Sequence, residues 1–200
     1  MVDSKIIDCI SPNTGRIFAD WGTEPISITL RDVERFNQNS MVSLMDFSVR
    51  RSVLLKIAEA IQNARTKLAS IIVDEAGKTF DEADAEVDYA CTFLTYAADL
   101  IADTRFENKI EVNRTVYSVS IGLGLLITPF NDPLAGITRK LANCIAAGGG
   151  ALIKPSELGM TTALALENIL NHWELGRYIK FLKISDHSLT LDLIKLKQVG

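Results

Sequence analysis

The sequence predicts an α/β fold: a partial, Rossmann-like parallel sheet that carries an N-terminal helical hairpin. Three observations predict it. Apolar residues recur at three- and four-residue steps through much of residues 42–101, the period of helices with one buried face. Two almost wholly apolar runs, Ile121–Thr128 and Ala151–Lys154, read as strands buried on both faces. Between and after them lie helical segments, and strand, helix, strand, helix is the parallel crossover unit of a doubly wound domain.

In chain order, Lys5–Ile10 and Arg16–Ala19 are short extended stretches around a turn at Ser11-Pro12-Asn13-Thr14-Gly15. From about Val42 to Val73 a helix is expected to bury Leu54, Ile57, Ile61, Leu68, Ile71 and Ile72. Gly77 stands where a C-terminal cap belongs. Thr79 and Glu82 have capping-box spacing. The helix they open places Ala83, Val87, Ala90, Leu94, Ala97 and Ile101 on one face, so two long helices form a hairpin. Residues 104–120 alternate polar and apolar through Ile110, Val112, Val116 and Val119, as one or two strands do.

After the apolar run to Thr128, Asp132 is placed to cap a helix and Pro133 suits its first turn. That helix should reach about Ala147, where Gly148-Gly149-Gly150 stops it. Pro155-Ser156-Glu157 turns from the second strand into a helix over about 161–171. Beyond it, Leu189, Leu191, Leu193 and Leu196 fit strand or helix periodicity equally.

Composition narrows the class. The chain has 200 residues, 48% hydrophobic and 23% charged, which excludes disordered and collagen-like chains. With 21 basic and 25 acidic residues the net charge is −4, and no basic run exceeds two residues, so no electrostatic footprint for nucleic acid is expected. Cys9, Cys91 and Cys144 are odd in number and widely spaced, which predicts neither a disulfide framework nor a zinc site. Reduced thiols, a start without a basic, apolar leader and no apolar run of membrane length together predict a cytoplasmic protein without a membrane partner.

The residues best placed for chemistry sit where the two buried strands end, the edge at which open α/β sheets bind ligands. Asn131 either caps the following turn or donates its amide to a carbonyl oxygen that becomes an oxyanion. Lys154, beside Glu157, either forms a surface ion pair or holds ribose hydroxyls or a phosphate, with the carboxylate accepting from ribose. The glycine triplet precedes a strand instead of opening a helix, and Gly122-Leu123-Gly124 lacks a third glycine, so neither forms a phosphate loop. Those two glycines fit close packing of a helix on the sheet. Asp81–Asp88, acidic and regularly interrupted by apolar residues, reads as a solvated helix face. His172 and His187 have no ligand spacing and read as surface residues, while Cys91 and Cys144 read as small core residues.

At Ile127-Thr128-Pro129-Phe130-Asn131-Asp132-Pro133-Leu134, Ala146-Ala147-Gly148 and Lys154-Pro155-Ser156-Glu157 the sequence resembles the aldehyde dehydrogenase superfamily. Arg50–Val73, Glu75-Ala76-Gly77-Lys78 and Ala85-Glu86-Val87 are similar to that family's N-terminal helices, and Ser11–Gly15 to its opening turn. The resemblance covers about residues 5–171 and implies NAD or NADP as cofactor. It implies that Ile127, Thr128, Pro129 and Phe130 line the nicotinamide cleft. Asn131 supplies the oxyanion amide, Lys154 and Glu157 hold the adenosine ribose, and Ser156 flanks them. The reaction implied is NAD(P)-dependent oxidation of an aldehyde through a cysteine thiolate. The Phe-Asn-Asp-Pro variant is similar to members acting on small polar or phosphorylated aldehydes.

Several departures shape the functional expectation. Family members are more than twice this long, and their nucleophilic cysteine and general-base glutamate lie in later motifs. No cysteine here has a Gly-Gln-x-Cys context, and Glu174-Leu175-Gly176-Arg177 lies too soon after the Lys-Pro-Ser-Glu motif to be the family's Glu-Leu-Gly-Gly. Gly149 stands where Asn is usual, Ser120 where Pro is usual, and the strand arm at 104–120 is short. Residues 172–200 form an unmatched tail, of the kind a frame shift or premature stop produces. The expectation is one incomplete cofactor-binding domain over 1–200, inactive alone, that acts on a small aldehyde only when completed by a catalytic half. The alternatives are one half of a split enzyme and a non-catalytic partner of a full-length relative, as a homo- or hetero-oligomer.

Overall fold

The structure, a computed structural model, describes residues 5–25, 36, 46–102, 110–111, 114–115, 120 and 122–195. Strands β1 (Ile6–Ile10) and β2 (Ile17–Gly22) form an antiparallel hairpin with a bulge at Cys9/Ile10. Its turn is the expected one: Gly15 takes φ +67°, and its N–H donates to the Ser11 carbonyl at 2.8 Å. Cys9 and Trp21 pack this hairpin onto Met160.

The long helical region is two helices, α1 (Phe47–Asn63) and α2 (Arg65–Ala76), in place of the single one expected. The break at Ala64 (φ −103°, ψ 12°) carries neither glycine nor proline, so periodicity runs straight through it. The expected start at Val42 lies outside the described residues. Asp46 caps α1 by accepting from the Ser48 N–H at 2.7 Å. Gly77 closes α2 in the left-handed region at φ +72°. Helix α3 (Phe80–Ala102) opens on the expected capping box: the Thr79 N–H donates to Glu82 Oε2 at 2.9 Å and the Glu82 N–H to Thr79 Oγ1 at 3.3 Å. All six core positions named for α3 are buried. Asp84 and Asp88 clasp Arg65 at 2.5 Å each and lock α2 against α3.

Two-residue strands β3 (Ile110–Glu111) and β4 (Arg114–Thr115) pair antiparallel. Val112, Val116, Val119 and Ile121 lie outside the described residues, as does Leu196. The parallel sheet has strand order β5-β6-β7, with β5 (Leu123–Ile127), β6 (Gly150–Lys154) and β7 (Ile179–Phe181). Helix α4 (Ala135–Ala146) joins β5 to β6, and α5 (Met160–His172), entered through a one-turn 3-10 helix at Glu157–Gly159, joins β6 to β7. Helix α6 (His187–Ile194) is capped by Asp186, which accepts from the Ser188 N–H at 2.7 Å.

The sheet is buried on both sides. Ala151, Ile153, Ile179 and Phe181 face the core built with α1–α5, while Leu123 and Leu152 face Leu182, Ile184, Leu189 and Leu193. Residues 179–194 are therefore a third strand and a covering helix, which the ambiguous leucine spacing alone did not separate. A Cβ on Gly124 would lie 2.9 Å from the Cys144 sulfur, so this glycine does permit close packing of α4 on the sheet. Ser120 clamps the entry to β5: its hydroxyl donates to the Gly148 carbonyl at 2.8 Å and accepts from the Gly122 N–H at 3.1 Å.

Candidate functional site

Strands β5 and β6 end side by side. Ile127 is the register partner of Lys154, and the Thr128 N–H donates to the Lys154 carbonyl at 3.1 Å, extending the ladder by one bond. Both strands run parallel, so the segments that leave them, residues 128–133 and 155–159, emerge at the same edge. A Cβ on Gly159 would lie 3.3 Å from the Pro133 side chain and 3.6 Å from the Phe130 backbone, so the two segments pack together.

Each residue singled out from the sequence lies in or beside these segments. Ile127 and Phe130 are exposed, and Pro129 shares that exposure. Thr128 is buried, and its Oγ1 has no hydrogen-bond partner among the described residues. Lys154 is only 6% exposed, and no ion pair joins it to Glu157 or to any other described residue. The surface ion pair is thus not what the structure shows. Burial pulls the Lys154 pKa below the ordinary lysine value, and the Glu157 charge pulls it partly back. Ser156 spends its hydroxyl on the turn, accepting from the Leu158 N–H at 3.3 Å.

Two cavities flank the Pro129–Asn131 segment. One of about 340 Å³ is bordered by Phe130, Glu157 and Leu158 together with Cys9, Phe18 and Glu75. The other, about 110 Å³, is bordered by Asn131, Asp132 and Pro129 with Tyr89, Phe93 and Arg139. Lys154 lines neither. Asn131 donates its amide to Asp132 Oδ2 at 2.9 Å, and among the described residues no backbone N–H is bonded to its side chain.

Asp132 does not cap α4. Its carboxylate accepts from Lys78 Nζ at 2.6 Å, and Lys78 donates again to Glu86 Oε2 at 2.7 Å. The cap comes from Glu86, whose Oε1 accepts from the Leu134 and Ala135 N–H groups at 2.9 and 3.0 Å. Glu86 is 5% exposed, which corrects the reading of Asp81–Asp88 as a solvated face at this one position. Glu75 does the same for α5, accepting from the Thr161 and Thr162 N–H groups at 2.6 and 3.0 Å. Sequence reasoning missed Lys78, Glu86 and Arg139 as parts of this region. Only the run of acidic residues following the lone Lys78 hinted at the first two.

The three thiols are buried. Burial pushes the Cys91 and Cys144 pKa values up to about 11 and raises that of Cys9, so none is a thiolate near neutrality. His172 and His187 are exposed, as expected. Among the described residues, no group of three or more His, Cys, Asp or Glu side chains could hold a metal, and no helix is long and apolar enough to cross a membrane.

The donor set fits a dinucleotide. Lys154, 6% exposed and without an ion-pair partner among the described residues, and the buried Thr128 hydroxyl, without a hydrogen-bond partner among them, lie at the ends of neighbouring parallel strands, where ribose and phosphate oxygens could satisfy both.

Comparisons with known proteins agree with this architecture. Residues 2–177 match the sequence model of the "Aldehyde dehydrogenase family", a span that begins before and ends after the stretch of about 5–171 where the motifs carry the resemblance. Mitochondrial succinate-semialdehyde dehydrogenase of Arabidopsis thaliana is 33% identical over 171 residues, covering 82% of this chain and 32% of that protein. An oxidoreductase of Marinobacter aquaeolei superposes with a TM-score of 0.86 at 26% identity, over 98% of this chain and 42% of its own. Aldehyde dehydrogenase C of Pseudomonas syringae, solved as a mutant with NAD+ and octanal, superposes with a TM-score of 0.79 at 28% identity, over 90% and 38%. The chain spans about a third of the length of that curated plant relative. With most of its length matched by the family's model and its sheet matched by solved members, the chain belongs to the aldehyde dehydrogenase family.

Proposed function

We propose that this chain is the cofactor-binding part of an NAD(P)-dependent aldehyde dehydrogenase and is catalytically incomplete alone. The observation that carries the reading is the pairing of Lys154 with Ile127 across β5 and β6, which brings a lysine without an ion-pair partner among the described residues to the same sheet edge as Thr128, one short segment from Asn131. In this reading Lys154 and Glu157 hold the adenosine ribose, Ser156 shapes the turn that presents Glu157, and Ile127–Phe130 form the wall of the nicotinamide cleft. The bound dinucleotide supplies the hydride acceptor. Asn131 donates an amide N–H to the aldehyde oxygen as it gains negative charge, a contribution whose loss costs about 100- to 1,000-fold in comparable oxyanion sites. The cavity beside Asn131 is small, and Arg139 at its rim has no ion-pair partner among the described residues, which suits a short polar or anionic aldehyde.

No cysteine of this chain serves as nucleophile, since all three are buried with raised pKa values. Aldehyde turnover is therefore expected only when a separate catalytic half is added. The pairing arrangement supports this second part: among the described residues β5 pairs with a strand on one side only, leaving a strand edge beside Asn131 where a side chain, Lys140, bonds the Ile127 carbonyl. A non-catalytic role, with the same edge laid against a full-length relative, predicts association without cofactor dependence.

Calorimetric titration with NAD+ and with NADP+ tests the reading. Weak binding is expected, with Kd on the order of 1 mM, and Lys154→Ala should abolish it. Turnover of aldehyde by the purified chain alone would contradict catalytic incompleteness. Equal heats from wild type and Lys154→Ala would remove Lys154 from the site.

A further inference from the structure

Lys78 lies in the three-residue link between α2 and α3, far in sequence from Asn131, yet the two are joined through a single carboxylate. Asn131 Nδ2 donates to Asp132 Oδ2 at 2.9 Å, and Lys78 Nζ donates to Asp132 Oδ1 at 2.6 Å. Lys78 is itself anchored on buried Glu86 at 2.7 Å. Glu86 in turn is fixed by the first N–H groups of α4.

We infer that Lys78 and Asp132 are positioning residues for Asn131, fixing which end of its amide faces the cavity that Asn131 and Asp132 share. The argument is one of hydrogen-bond capacity. A carboxylate only accepts, so Asp132 can bond the nitrogen end of the amide but not its oxygen. With one amide N–H spent on Asp132, the second remains as a donor toward the cavity. Left alone, an anion 2.9 Å from that donor would oppose the negative charge that an oxyanion site must stabilise. The Lys78 ammonium, 2.6 Å from the same carboxylate, offsets it. Burial works against the Lys78 charge, but the bonds from Asp132 and Glu86 outweigh it and hold the pKa above the ordinary lysine value. The role given to Asn131 rests on the function proposed above; the pinned amide itself does not.

The test is read on the full chain, labelled with 15N, from the side-chain amide resonances of Asn131, assigned by their loss in Asn131→Asp. Asp132→Ala, at a half-exposed position, should move this pair to the shifts of a freely exposed amide while the backbone amides of α4 stay in place. Lys78→Met should move it in the same direction, and Lys78→Arg should restore it. An Asn131 pair unmoved by Asp132→Ala would overturn the inference. So would movement in Lys78→Met that Lys78→Arg fails to reverse. If Lys78→Met does not fold, the Asp132→Ala spectrum decides. Cofactor titration is a separate readout: absence of NAD(P) binding with a pinned amide overturns the proposed function and leaves the positioning pair standing.

Discussion

Lys154 carries a charge on a residue that is 6% exposed. It ends a strand whose five residues are all buried, and burial pulls its pKa below the ordinary 10.5. The sign of the consequence follows from proton linkage. A lysine whose folded pKa is lowered binds fewer protons in the native than in the unfolded state, so it costs stability. That cost is full below the folded pKa and disappears as pH rises past 10.5. Lys154→Met should therefore raise stability near neutrality by about 1 kcal/mol. Urea denaturation at neutral pH should show the gain, and repetition close to pH 10.5 should show it shrinking. A gain in stability together with loss of NAD(P) binding would mark Lys154 as kept for a ligand. A loss of stability would mean that the ammonium has a structural partner. The strand-end position of Lys154 was readable from the apolar run before it. Its burial was not, because that depends on how segments 128–133 and 155–159 close over the edge.

Between elements, buried glutamates do the work that local caps usually do. Neither α4 nor α5 has a side-chain cap of its own; Glu86 on α3 serves the first and Glu75 on α2 the second. Each ties the N-terminal helices to a helix packed on the sheet, next to the segment that carries a candidate site residue. Glu86→Ala removes the acceptor of two buried N–H groups and one partner of Lys78, and should destabilise the chain by about 3 kcal/mol. Glu82→Ala, which loses only an exposed capping-box contact, should cost about 1 kcal/mol. Thermal or urea unfolding of the two variants checks the ranking, and equal losses would mean that the Glu86 link contributes no more than a local cap. This contrast also explains what was legible in the sequence. Gly77 bonds back to Val73 and Thr79 pairs with Glu82, contacts of four and three residues that announce themselves by spacing. The bond from Glu86 to α4 spans 48 residues, so Asp132, adjacent to the helix start, was the natural but mistaken choice. The break at Ala64 was equally hidden, since it falls in a continuous apolar pattern and uses no special residue.

The whole molecule has a direction. Helices α4 and α5 join β5 to β6 to β7 and pack in one core, so the sheet grows one way from β5. Helix α6 instead packs on the opposite face, against Leu123 and Leu152. By a right-handed crossover, a strand entered from a helix on that face would pair on the far side of β5, and the strand order would reverse there. Ligands bind above such a point, and there Ile127 gives way to Thr128, Pro129, Phe130 and Asn131. The two sheet edges differ accordingly. Beside β7 the Glu24 N–H donates to the Lys183 carbonyl at 2.8 Å, and Glu24 meets Lys180 at 3.8 Å, whereas β5 pairs with no strand but β6 among the described residues, its Ile127 carbonyl accepting instead from the Lys140 side chain. Hydrogen exchange should register this asymmetry. Amides of β6, flanked on both sides, should exchange only through global unfolding, and those of β5 should exchange about tenfold faster or more, an opening cheaper by at least about 1.4 kcal/mol. Addition of a polypeptide that supplies the family's catalytic half should slow β5 selectively and bring NAD(P)-dependent turnover with it. Protection of β5 without turnover favours the non-catalytic partner, because the edge is then filled while the chemistry is not. Equal exchange in β5 and β6 from the outset would mean that the β5 edge is already covered, and a strand supplied in trans would have nowhere to bind.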